Sequence, residues 1–163
     1  MEHILLECEK SAAITTIWQL TEELWHLRDP TWPPIKFGTI MGSQAIELRN
    51  NNNKKSEGKM RLFQILTTEA AHLIWKLQCE RVIKLEGRED LFHSTTEIHN
   101  RWVTIINTRL KHDRILADPV RYDLVLKTWS GVLMNEHDLP NDWIRQTGVL
   151  VGIAPQRPPG RNR

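Results

Sequence analysis

The run from 60 to 85, MRLFQILTTEAAHLIWKLQCERVIKL, constrains the fold more than any other stretch of the chain. It contains neither Gly nor Pro, so nothing in it interrupts a helix of about seven turns. Leu62, Phe63, Leu66, Ala70, Leu73, Ile74 and Leu77 recur at the spacing of one helical face, while Ile65, Trp75, Cys79, Val82 and Ile83 place apolar groups elsewhere around the axis. A helix apolar on several sides needs neighbours on several sides. The run therefore predicts the central helix of an all-α, irregular bundle, with Leu73 and Trp75 both in the core.

The flanking segments supply those neighbours. Ser11 is placed to cap a helix over 11–27 that carries Ile14, Ile17, Trp18, Thr21, Leu24 and Trp25 and stops before Asp29-Pro30. Residues 30–34, PTWPP, make a stiff extended connector, and 35–42 form a short helix ending at Gly42. Residues 43–59, with Asn50 to Asn53 followed by two lysines and little that is apolar after Leu48, read as a mobile Asn/Lys-rich loop.

Beyond the central run, Ser94-Thr95-Thr96-Glu97 has the form of a capping box and opens a helix striped by Ile98, Trp102, Ile105, Ile106 and Leu110. Asp118-Pro119 opens a shorter helix striped by Tyr122, Val125, Leu126 and Trp129, which Gly131 ends. The chain is turn-rich after 135, with one capped turn around Trp143 and an irregular strap at Val149-Leu150-Val151. Residues 11–154 thus make one helical domain, and 155–163 a disordered tail.

Charge excludes little and points nowhere strongly: 22 basic against 20 acidic side chains leave a formal +2, too balanced to announce a polyanion or a membrane as partner. Two cysteines imply no disulfide framework and fit a reducing compartment, and no apolar run is long enough to span a bilayer, so the expected location is cytoplasmic or nuclear, with no membrane partner. The acids, such as Glu22, Glu23 and Glu97, fall on helix exteriors or in caps rather than in the clusters that two-metal chemistry requires. Cys79 as a nucleophile would need a neighbouring base to activate it; Lys76 and Arg81 stand nearby in sequence, but the residue reads as a buried helix thiol. Lys76, Arg81, Lys84, Arg101, Arg109, Lys111 and Arg114 interleave with Trp75 and Trp102, and a nucleic-acid surface would fall to Lys76, Arg81, Arg101, Arg109 and Arg114; the same residues also serve as the polar faces of amphipathic helices.

His3-x4-Cys8, followed by a helix bearing Ile17-Trp18, resembles the second half of the zinc-binding segment found at the end of reverse transcriptases of non-LTR retrotransposons. Leu73-Ile74-Trp75-Lys76 running into Cys79-Glu80-Arg81 is similar to a later segment of that family. The blocks His99-Asn100-Arg101-Trp102, Lys127-Thr128-Trp129-Ser130-Gly131 and Asp142-Trp143-Ile144-Arg145 extend the likeness to retroelement-derived proteins of mushroom-forming fungi, described as reverse-transcriptase zinc-binding or ribonuclease H-like.

The resemblance implies that 1–10 is the remnant of a zinc-binding segment, with His3 and Cys8 as metal ligands. The family's upstream Cys-x2-Cys pair has no counterpart, so the site is an incomplete half and no cofactor is expected. The paired aspartates of the polymerase and the ribonuclease H carboxylates have no counterparts either. The resemblance thus implies the tail of a larger element, or a product started at an internal Met. The expected function is a non-catalytic C-terminal module of a retroelement-derived, reverse transcriptase-like protein that assists nucleic-acid binding. The alternative is a helical protein-interaction module that uses exposed Trp faces and has no nucleic-acid role.

Overall fold

A computed structural model describes residues 1–7, 11–88 and 91–157. Of these, 61% lie in helices or helical turns, and there is no strand among them. The chain is all-α. Five helices carry the fold: α1 (Ala12–His26), α2 (Phe37–Met41), α3 (Glu57–Cys79), α4 (Thr95–Ile115) and α5 (Tyr122–Trp129). No helix among the described residues is long and apolar enough to cross a membrane.

Helix α3 is the axis of the bundle: α1, α2, α4, α5 and the N-terminal turn all pack on it, α5 and α1 most extensively. Each of the seven residues assigned to its main apolar face is buried, as is Ile65. The helix starts three residues earlier than the sequence suggests, inside the 43–59 segment, and takes in Gly58. A Cβ there would lie 2.1 Å from the Lys127 carbonyl oxygen, so glycine is what allows the first turn of α3 to touch the backbone of α5. At its far end α3 runs into a π-helical turn (Glu80–Lys84), closed by the Leu85 amide donating to the Glu80 carbonyl.

Two expectations about this helix need correction. Trp75 is 45% exposed and stacks on His72 instead of entering the core. It stands about 150° around the helix from the middle of the buried face at 100° per residue, on the side that no other element covers. Val82 and Ile83, carried outward on the π turn, are exposed as well.

Around α3 the indole rings act as ties between elements. Trp102 on α4 donates to the Thr21 hydroxyl on α1 (3.1 Å), and Trp129 on α5 donates to Asp113 on α4 (2.8 Å). Trp18, half-buried, donates to the Leu5 carbonyl (3.0 Å) and so docks the N-terminal π turn (His3–Glu7) on α1. Trp32 in the proline-rich connector folds back to make a ring cluster with Trp25 and Phe63, centroids 5.3–5.8 Å apart.

Several boundaries differ from the sequence reading for local reasons. Residues 43–59 are not featureless. Ser43–Ala45 form a 3-10 turn, Arg49 and Lys55 make an isolated bridge, and the Asn50 side chain accepts from the amides of Asn52 and Lys54. The Ser94 hydroxyl accepts from the Glu97 amide as a capping box requires, but the Glu97 carboxylate turns to His93 and Arg101 instead of back to the cap. Asp118 caps the turn that precedes α5, accepting from Val120 and Arg121.

The C-terminal strap is real: Leu133 and Val151 form a bridge, Met134 donates to Leu150, and Gly152 donates to Val132. The expected tail begins too early at 155, because Asn100 holds Gln156 through both its backbone groups (2.7 and 2.9 Å) and His99 contacts the Ala154 carbonyl (2.9 Å). Residues 158–163 of that tail lie outside the described residues.

Candidate functional site

The residues singled out in the sequence do not converge. His3 stands on the N-terminal π turn with its side chain 69% exposed, 3.6 Å from Glu7, and Cys8 lies outside the described residues. Among the described residues no three His, Cys, Asp or Glu side chains are placed to hold a metal together.

The five cations separate into four places. Lys76 and Arg101 line a groove of about 610 Å³ between α3 and α4, but Glu80 and Glu97 line it too. Arg101 bonds both of these acids, at 2.7 and 2.8 Å. That hydrogen bond to Glu80 outweighs partial burial and holds the Glu80 carboxyl below its ordinary range. Arg81 packs over the Phe92 ring, 5.3 Å from its centroid. Arg109 turns inward, with its Nε buried and a terminal nitrogen 3.9 Å from Asp113.

The nearest approach to an acid–base constellation is His93, between Glu80 (3.0 Å from Nε2) and Glu97 (2.9 Å from Nδ1). Both ring nitrogens are occupied by carboxylates, which leaves neither to take a proton from a substrate. The group ties the π turn to the start of α4. Asp113, the most buried acid in the bundle, is equally committed: Arg61 reaches it with two nitrogens and Trp129 with a third.

Arg114 belongs to a different surface. Between the second half of α4 and the strap runs an open groove of about 950 Å³, lined by Lys111, Arg114 and Arg145 and, among the described residues, by no acidic one. Helix geometry puts Lys111 and Arg114 one turn apart on the same face of α4. Arg145 comes from another element, the 3-10 turn Trp143–Arg145, which the buried side chains of Trp143 and Ile144 anchor. Arg114 donates through Nε to the Ile144 carbonyl (3.1 Å), so its guanidinium is held at the seam. Partial burial pulls it below its ordinary pKa, a desolvation cost that an incoming anion offsets. Among the described residues no carboxylate pairs with Lys111, Arg114 or Arg145.

Of these three, Arg114 was assigned to the nucleic-acid surface from the sequence, and Lys111 was legible in the same basic run, outside the Ile106–Leu110 stripe. Arg145 was not, because nothing local says that the last 3-10 turn folds against α4. Compared with family models, curated proteins and solved structures, the chain matches none.

Proposed function

We propose that the chain is a non-catalytic helical binding module, of the kind a retroelement-derived, reverse transcriptase-like protein carries at its C-terminal side. Its working surface is the groove between α4 and the strap, and its partner there is anionic. The observation that supports this is the convergence of Lys111, Arg114 and Arg145 without an acid among the groove's lining residues, in a chain whose charge is otherwise nearly balanced. In the groove between α3 and α4, by contrast, Arg101 is neutralised in place by Glu80 and Glu97. Nucleic-acid handling, the role that the resemblance implies, and capture of an acidic protein segment are the two forms such a function takes. Folding in this reading does not depend on a metal at His3, since Leu5 and the Trp18 indole dock the N-terminal turn.

Retention of the 163-residue chain on heparin, a generic polyanion, tests the reading. Lys111→Glu with Arg145→Glu is expected to lower the eluting salt concentration well below that of Lys76→Glu with Lys84→Glu, a pair of exposed positions whose reversal changes net charge equally. Equal loss from the two double variants would show that retention follows net charge and not the groove.

A further inference from the structure

Resting on that reading of the groove, we infer that its occupant is an acidic amphipathic helix from a partner protein, laid along α4 with its apolar face inward. Aliphatic side chains supply much of the groove's lining, Val103, Ile115, Ile144, Val149 and Leu150, with uncharged polar groups such as Thr104, Asn107 and Thr108 between them. Ile115 and the adjoining Leu116 are 68% and 62% exposed, so the apolar surface continues out of the groove. No Trp, Tyr or Phe lines it. Single-stranded nucleic acid takes much of its affinity from stacking on aromatic rings, and branched aliphatic side chains provide no such platform. What a largely aliphatic lining with cations beside it does fit is a helix that carries apolar residues at i, i+3, i+4 and i+7 with carboxylates beside them.

The dimensions agree. From Val103 to Ile115 the lining of α4 extends about 18 Å at 1.5 Å per residue, enough to seat about three turns of a partner helix. Lys111 and Arg114 come to the groove from α4 and Arg145 from the 3-10 turn Trp143–Arg145. Carboxylates beside the apolar face of the partner would therefore have cations of two elements to meet, and Arg114, already partly desolvated, is the least exposed of the three. Charge complementarity selects against a basic helix of equal hydrophobicity.

The test uses the full 163-residue chain and fluorescence anisotropy with three labelled probes. The first is a peptide of about four turns with leucine on one face and glutamate on the other; the second is its lysine-bearing counterpart; the third is an oligothymidine strand. The glutamate peptide is expected to bind and the lysine peptide not to. Ile115→Asp with Leu150→Asp, and separately Lys111→Glu with Arg145→Glu, should each weaken the glutamate peptide at least about tenfold. The charge-reversed variant should in turn gain affinity for the lysine peptide. All four positions are exposed or border solvent, and circular dichroism verifies that each variant keeps its helix.

Oligothymidine binding that depends on Lys111 and Arg145 but is indifferent to Ile115 and Leu150, with no peptide binding, would overturn the helix proposal while sustaining an anionic groove. Binding of neither ligand, or peptide binding untouched by both double variants, would overturn the helix proposal too, and the first of these would remove the anionic groove with it.

Discussion

Arg61, in the first turns of α3, grips Asp113 near the end of α4 through two parallel hydrogen bonds of 2.6 and 2.8 Å, and with a third contact reaches the Thr128 hydroxyl of α5 (3.1 Å). One guanidinium thus joins three helices. Asp113 is 7% exposed, and burial pushes its carboxyl up, but the hydrogen bonds from Arg61 and Trp129 outweigh that and hold it below its ordinary range. Removing one partner leaves the other buried and uncompensated. Arg61→Ala or Asp113→Ala should each cost about 3 kcal/mol, at the lower end for broken buried pairs because Arg61 keeps some contact with water. Urea unfolding of both single variants and the double gives the coupling. A double variant whose loss equals the sum of the singles would mean that the pair acts as two independent contacts.

Asp29 supplies the pH dependence. Partial burial raises its carboxyl, but the hydrogen bonds from Lys59 and from the Thr31 hydroxyl and amide prevail and bring it from 3.8 down to about 2. A folded value below the unfolded one means that the folded chain binds fewer protons in the interval between them, so stability rises with pH there. The contribution is present above 3.8 and is lost as pH falls toward about 2. Asp113 and Glu80, also held low, add loss of the same sign. Melting temperature should therefore fall steeply between pH 4 and pH 2, and Lys59→Met should flatten that slope. An unchanged slope in the variant would separate Asp29 from acid stability.

Leu73 and Trp75, two residues apart on α3, should behave oppositely. Leu73 is buried against the bundle and Trp75 faces solvent. Leu73→Ala is expected to cost about 2–5 kcal/mol, while Trp75→Ala should stay near the scale of surface changes, about 0.5 kcal/mol. Chemical denaturation of the two variants ranks them, and a larger loss for Trp75 would reverse the assignment of faces.

Gly58 tests the closest contact between α3 and α5. Alanine ordinarily stabilises a helix over glycine by about 0.5–1 kcal/mol. Here its methyl would meet the Lys127 carbonyl carbon at 2.5 Å and its oxygen closer still, so backbone must move. Gly58→Ala should destabilise by about 1–3 kcal/mol, as overpacking does. A rise in the unfolding midpoint would show that the two helices part at little cost.

What the sequence disclosed follows the reach of local rules. The inward face of α3 from Leu62 to Leu77, the Ser94 cap and the stripe from Ile98 to Leu110 all rest on interactions within a few residues, and all three stand in the structure. Trp75 was misplaced because its size argued for burial, whereas its angle around the helix argued against it. Asp113 left a signal that went unused: it extends the Ile106–Leu110 stripe by three residues, where an acid implies a buried partner. That the partner is Arg61, 52 residues away, is settled by tertiary packing alone. The same holds for the groove, since Arg145 comes to line it with Lys111 and Arg114 only because the last 3-10 turn packs on α4.

That strap has a consequence for how occupancy of the groove would be seen. It is fastened to α4 by three side chains, His99, Asn100 and Asn107, the last accepting from the Val151 amide at 2.9 Å. Fastenings on one rigid helix open together, so the amides of Val151 and Gln156 should exchange with deuterium as a single block. A ligand that touches both α4 and the strap must be released, or borne along, each time the block opens, and its affinity is added to the opening free energy. The exchange rate of those two amides is then a gauge of occupancy internal to the protein, readable without a label on either molecule.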